Sequence, residues 1–207
     1  MASLRNPKSN MDRSRTDKQK DQDKDNQEPR KRYGPYIKSL LEEKIFLKIT
    51  EIGQNIKPNL ERVISAKVEG KCTVQGFIKP NSVHVINYSA GKVNGELVEY
   101  HAIYECMVCY PVEGMDIECV CKTLTKAGIH AEVLDQEGNI PITIFIARDH
   151  HMNHHEFGLV KEGGRLLVKI IGIRFELNDP YICAIGRLLE RMEDQPGQRR
   201  ITIHNDS

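Results

Sequence analysis

Two clusters in this 207-residue chain carry side chains able to hold a metal ion or attack a substrate. The first is the run Asp149, His150, His151, Met152, Asn153, His154, His155, Glu156. On a helix His150 and His154, or His151 and His155, would stand one turn apart and could share a zinc ion. The zinc-hydrolase spacing also needs a glutamate beside the first histidine and a third ligand, and the run supplies neither. It falls in one long polar connection, so the expectation is an exposed loop holding no metal. A partly protonated imidazole touching phosphate is the other use open to it. The second cluster is Cys106, Cys109, Cys119 and Cys121. Its spacing suits a four-thiolate zinc site, but Cys106 and Cys109 have opposite parity on a strand and would point to opposite faces. Met107 and Val108 continue the strand between them and make no turn. Core thiols are the expectation. With no Gly-x-Ser-x-Gly, no phosphate-cradling glycine loop and no marked carboxylate pair, no catalytic residue, metal or cofactor is expected.

The spacing of apolar side chains predicts the elements that position these groups. Ile37, Leu40 and Leu41 predict a short helix over 36–44, and residues 45–52 alternate as a strand. Pro58 suits the start of a second helix, whose stripe of Leu60, Val63 and Ile64 ends near Lys67. From Val68 the period becomes two, which places Cys72, Val74, Gly76 and Ile78 on one face of a strand. Strands follow over 83–88 and 98–110, with a turn at Asn94-Gly95. This is an α+β unit, an antiparallel sheet under short helices. It stops at Pro111, and five more strands are predicted over 115–125, 128–134, 140–147, 165–175 and 181–187. Their only long connection, the seventeen residues 148–164, follows the third strand. That is the layout of a five-stranded OB barrel, with a reduced β-sandwich as the alternative. Two β-rich units abut with almost no linker, which predicts a rigid two-part body. The organisation is then a charged tail over 1–35, the α+β unit over 36–110, the barrel over 111–190 and a tail over 191–207.

Charge narrows the function. The first 32 residues hold ten Lys/Arg and six Asp/Glu with four apolar side chains, too few to offset the entropy of ordering. Residues 33–207 carry a net charge of −3, so any nucleic-acid contact has to come from a local patch. No apolar run is long enough to span a bilayer and no secretory leader is apparent, so an intracellular protein with reduced thiols and no membrane partner is expected. An OB barrel commonly lays single-stranded nucleic acid across its second and third strands by stacking and phosphate contacts. The residues placed for that are Lys122, Lys126, His130, Phe145 and Arg148, with Lys169 and Arg174 nearby. The competing reading is ordinary barrel surface with Phe145 in the core.

An ordered series of segments resembles a known family. It comprises Val-Glu-Gly-Lys-Cys-Thr-Val-Gln-Gly-Phe-Ile at 68–78, Gly-Lys-Val-Asn-Gly at 91–95 and Val-Glu-Tyr-His-Ala-Ile-Tyr at 98–104. Tyr-Pro-Val-Glu-Gly at 110–114 then meets Val-Cys-Lys-Thr-Leu-Thr-Lys-Ala-Gly at 120–128. Lys-Glu-Gly-Gly at 161–164, Val-Lys-Ile-Ile-Gly-Ile-Arg at 168–174 and Ile-Cys-Ala-Ile-Gly at 182–186 complete it. Over about residues 45–190 the chain is similar to the larger, OB-bearing stalk subunit of multisubunit DNA-directed RNA polymerases. The resemblance implies a non-catalytic subunit whose tip domain docks on the large core subunits. A smaller stalk subunit packs along both domains in that family, and a barrel of the ribosomal-protein-S-one type faces nascent single-stranded RNA. Gly70, Lys71, Cys72 and Gly76 match the tip motif and become the core-docking candidates. His130 stands where the family often has a stacking aromatic. The charged extension, with the divergence, suggests a polymerase encoded by a large DNA virus, acting in the nucleus or in a cytoplasmic viral factory or virion. The rivals are a free-standing OB-fold RNA-binding protein of translation or RNA decay, and a metal-dependent enzyme built on the histidine run.

Overall fold

The computed structural model describes residues 34–53, 55–151 and 155–192. The described residues from Gly34 onward belong to one compact unit, an antiparallel sheet followed by a closed five-stranded barrel.

The first element corrects the sequence pattern. Residues 37–44 are not helical but form the first two-thirds of β1 (Ile37–Lys48). Three apolar residues make a thin helical stripe, and an isolated two-turn helix is marginal. As a strand, every residue from Ile37 opposite Val108 to Lys48 opposite Leu97 finds a partner on β6 (Leu97–Cys109). A single 3-10 turn (Ile49–Glu51) leads on to α1 (Ile56–Val68), which buries Leu60, Ile64 and Val68 along one stripe. The helix is closed at its C-terminus by Glu69, whose amide donates to the Ser65 carbonyl.

The stretch 68–78 is a second correction. It is not one strand but the end of α1 followed by a tight hairpin, β2 (Cys72–Thr73) and β3 (Gly76–Ile78). Val74 therefore does not share a face with Cys72 and Ile78: it sits at the turn, 75% exposed. Thr73 holds that turn, its hydroxyl accepting from the Gln75 amide and donating to the Gly76 carbonyl. Gly76 adopts φ +118°, in the region that favours glycine, and a Cβ there would collide with the Cys109 carbonyl oxygen.

β4 (His84–Tyr88) and β5 (Lys92–Asn94) follow, and β6 is the spine of the sheet. β1 lies along one edge of β6, and β3, β4 and β5 succeed one another along the other. Its even positions, Val98, Tyr100, Ala102, Tyr104, Cys106 and Val108, pack in one core with α1 residues and with Ile45, Leu47 and Val85. The exposed edge of β1 carries Lys38, Glu42, Glu43, Lys44 and Lys48, charges of the kind that discourage further strand pairing.

The barrel comprises β7 (Asp116–Leu124), β8 (Gly128–Val133), β9 (Ile142–Ala147), β10 (Arg165–Arg174) and β11 (Ile182–Met192). It closes in the order β7-β8-β9-β11-β10, with β10 returning to β7. All pairings are antiparallel except β9 with β11. This is the OB arrangement, and it excludes the sandwich. Register shifts in β7 and β10 mark bulges that help a short sheet bend into a barrel. β11 runs to Met192, beyond the predicted end at 187. The interior is filled by alternate residues, among them Ile129, Ile144, Ile146, Leu166, Ile170 and Leu188.

Sheet and barrel share a joint. Cys72, Phe77 and Cys109 belong to the barrel's core cluster, not the sheet's. The loop after β10 bonds to β2 through its backbone: the Cys72 amide donates to the Asp179 carbonyl, and the Asn178 amide to the Cys72 carbonyl, at 2.8 Å each. Tyr36 donates its hydroxyl to Asp135 at 3.2 Å, and Lys79 pairs with Glu137 at 2.7 Å while lying over the Tyr36 ring. Tyr110 meets Phe175 edge to face.

Candidate nucleic-acid interface

The outer wall of the barrel brings together part of the predicted set. His130 on β8 and Phe145 on β9 are register partners, their ring centroids 4.9 Å apart. Phe145 alternates with the inward Ile144 and Ile146 and is half-buried, so it is not a core residue. Gly128 makes room for this pair: a Cβ there would press on the Phe145 ring and collide with the Ile146 carbonyl oxygen. Thr125 then closes the β7–β8 turn, its hydroxyl donating to the Gly128 carbonyl.

The predicted cations differ in how they are engaged. Lys122 pairs with Glu132 at 3.1 Å, Lys169 with Asp116 at 3.3 Å and Arg174 with Glu176 at 3.2 Å. Exposed pairs of this kind hold little energy and yield readily to a competing phosphate. Arg148 donates to the Thr125 carbonyl at 3.2 Å and lies over the Phe157 ring, so it braces the β7–β8 turn beside the ring pair. Lys126 is exposed at the tip of the same turn.

Sequence reasoning missed Ile185. The parallel pairing of β9 with β11 sets it beside Phe145, on the outer wall. Those two strands are far apart in the chain, and no local pattern announces which strands become neighbours.

The histidine run is corrected in part. His150 and His155 are exposed, and His154 lies outside the described residues. His151, however, is 5% exposed and plugs the end of the barrel. Its Nδ1 meets the Ala147 carbonyl at 2.8 Å, its Nε2 accepts from the Leu188 amide at 3.0 Å, and its ring stacks on Phe157. Accepting at Nε2 fixes the proton on Nδ1. Both nitrogens are thereby used by backbone, in a buried structural role. Residues 148–151 form a 3-10 turn and α2 (His155–Gly158) follows, so the connection folds against the barrel end.

The cysteines divide as their parity predicts. Cys106 lies in the sheet core, Cys109 in the barrel core, and Cys119 and Cys121 point into the barrel. Burial pushes the Cys109 and Cys119 thiols up to about 12, with neighbouring Cys72 and Cys121 adding to it respectively. Among the described residues no group of three His, Cys, Asp or Glu side chains gathers as metal ligands would. Of the tip residues, Cys72 and Gly76 turn inward toward the joint, whereas Gly70 and Lys71 are half-exposed, with Lys71 donating to the Ala66 carbonyl. Among the described residues no helix is long and apolar enough to cross a membrane.

No protein-family model matches the chain. It is similar to the protein described as "Putative DNA-directed RNA polymerase subunit L376" of Acanthamoeba polyphaga mimivirus, with 27% identity over 172 residues. The match covers 75% of this chain and 82% of that relative, more than the sheet or the barrel alone can supply. In sequence the chain is thus a relative of a viral protein described as a polymerase subunit, and in architecture it has the sheet-and-barrel build of an OB-bearing stalk subunit.

Proposed function

We propose that this chain is a subunit of a DNA-directed RNA polymerase, the non-catalytic stalk subunit that carries the OB barrel. The observation that supports this best is the similarity to the mimivirus protein across both parts of the fold. In this reading the sheet end docks on the large core subunits around Gly70 and Lys71. Cys72 and Gly76 shape that surface from within, by fixing the hairpin against the joint. A smaller stalk subunit is the second protein partner. The barrel contacts nascent single-stranded RNA through Phe145 and His130, with Lys122, Lys126 and Arg148 as its cations. The protein acts where its polymerase acts, in the nucleus or in a viral factory.

Affinity purification of the tagged full chain from the cells that express it, followed by mass spectrometry, tests the reading. The two large polymerase subunits are expected to co-purify in stoichiometric amounts. Recovery of the chain without any large polymerase subunit overturns it. The ring pair on the outer wall also favours a second reading, a free-standing RNA-binding protein, which predicts RNA affinity in the isolated chain and no core complex.

A further inference from the structure

One row of outward positions crosses the barrel wall. Thr123 on β7 is the register partner of His130 on β8, His130 of Phe145 on β9, Phe145 of Ile185 on β11, and Ile185 of Gly172 on β10. Ile185 is 51% exposed, between the inward Ala184 and Gly186. Two residues further along β11, on the same face, Arg187 is exposed and makes no ion pair with a described residue. Its register partner on β10 is Lys169.

We propose that the single-strand site extends across the parallel seam from β9 onto β11, with Ile185 as the floor under a base or ribose and Arg187 as a phosphate contact. This rests on the RNA-facing reading of the barrel. Neighbouring strands stand about 4.8 Å apart, so Ile185 continues the surface of the ring pair one column on, within reach of the next base of an extended strand. Arg187 lies about 7 Å along β11 from Ile185 and faces the backbone of a strand laid over the row. Gly172 offers no side chain at the far end. There Glu113 takes over, its carboxylate oxygen 3.9 Å from where a Cβ on Gly172 would sit. A carboxylate repels phosphate, so the track ends at β10. The apolar row is one residue wide, with Lys169 and Arg187 on one flank and Glu132 and Arg174 on the other. A protein interface core is instead broad and depleted of charge.

The test is fluorescence anisotropy of the full chain with labelled single-stranded oligouridylate of about ten nucleotides, measured over a range of salt. Arg187→Ala is expected to weaken binding about fivefold or more and to reduce the slope of log affinity against log salt by about 0.7. Arg187→Lys keeps the charge and should restore that slope. Ile185→Ala should weaken binding with the slope unchanged. Both side chains are exposed, so thermal unfolding should match the wild type. If Arg187→Ala and Ile185→Ala bind like wild type while His130→Ala/Phe145→Ala does not, the track stops at β9 and the proposal is overturned, with the RNA-facing reading intact. Absence of wild-type binding overturns both. Variants that bind RNA normally but lose the polymerase core would assign the row to a protein contact instead.

Discussion

Of the six cysteines, Cys183 alone is exposed, on the outer wall of β11. The other five are buried as thiols, and burial holds Cys72 and Cys106 near 11 as it holds Cys109 and Cys119 near 12. Only thiolate attacks an alkylating agent, so those groups combine an inaccessible position with a negligible reactive fraction near neutrality. Treatment of the native protein with iodoacetamide at about pH 7.5 should give one adduct by intact mass, mapping to Cys183, and six after denaturation. Two or more rapid native adducts would contradict the burial described above. The fate of Cys106 and Cys109 was readable from their spacing alone, because an i,i+3 pair on a strand cannot face one way. His151 was not readable. Its neighbours His150 and His155 are exposed, and only the arrival of the Leu188 amide gives its ring a buried purpose.

At the scale of elements, the barrel strands were legible because each is a short run rich in apolar and β-branched residues, set off by turn residues or a polar connection. Residues 142–147 are a clear case, an almost wholly apolar run whose burial alternates, with Ile142, Ile144 and Ile146 inward. The first two-thirds of β1 were not, since Leu40 and Leu41 mimic a helical stripe and the ladder that decides the matter is supplied by β6, far along the chain. The alternation from Ile45 did show its last four residues, though the strand gives way to a 3-10 turn at Ile49. The β2–β3 hairpin was hidden for another reason: Cys72 and Ile78 keep the same parity whether or not the chain turns between them. Gly76 betrays the turn. Its positive φ and its approach to the Cys109 carbonyl make it the position at which β3 can lie against β6. Gly76→Ala should therefore destabilise the protein by about 1–3 kcal/mol in chemical denaturation. Gly95→Ala, at a turn with nothing near its missing side chain, should cost less. Equal effects would mean that φ alone, and not the close approach, sets the requirement.

At the largest scale, sheet and barrel meet at the joint, and one of its polar anchors is Asp135. Burial by itself would raise the carboxyl of Asp135. Hydrogen bonds from the Asn139 side chain and backbone, the Glu137 backbone and the Tyr36 hydroxyl outweigh that and hold it below the usual carboxylate range. A carboxyl so depressed stabilises the fold fully above its unfolded value and loses that contribution as pH falls through its folded value. The advantage in melting temperature of wild type over Asp135→Asn should thus be largest near neutrality and shrink toward about pH 3. A difference constant over that range would remove Asp135 from the joint's energetics. The other tie is covalent. β6 gives its even residues to the sheet core and its last residue, Cys109, to the barrel core, with only six residues between its end and β7. A load applied at the sheet end would then pass into the barrel along one continuous strand seated in two close-packed cores, and such cores are little compressible and transmit strain.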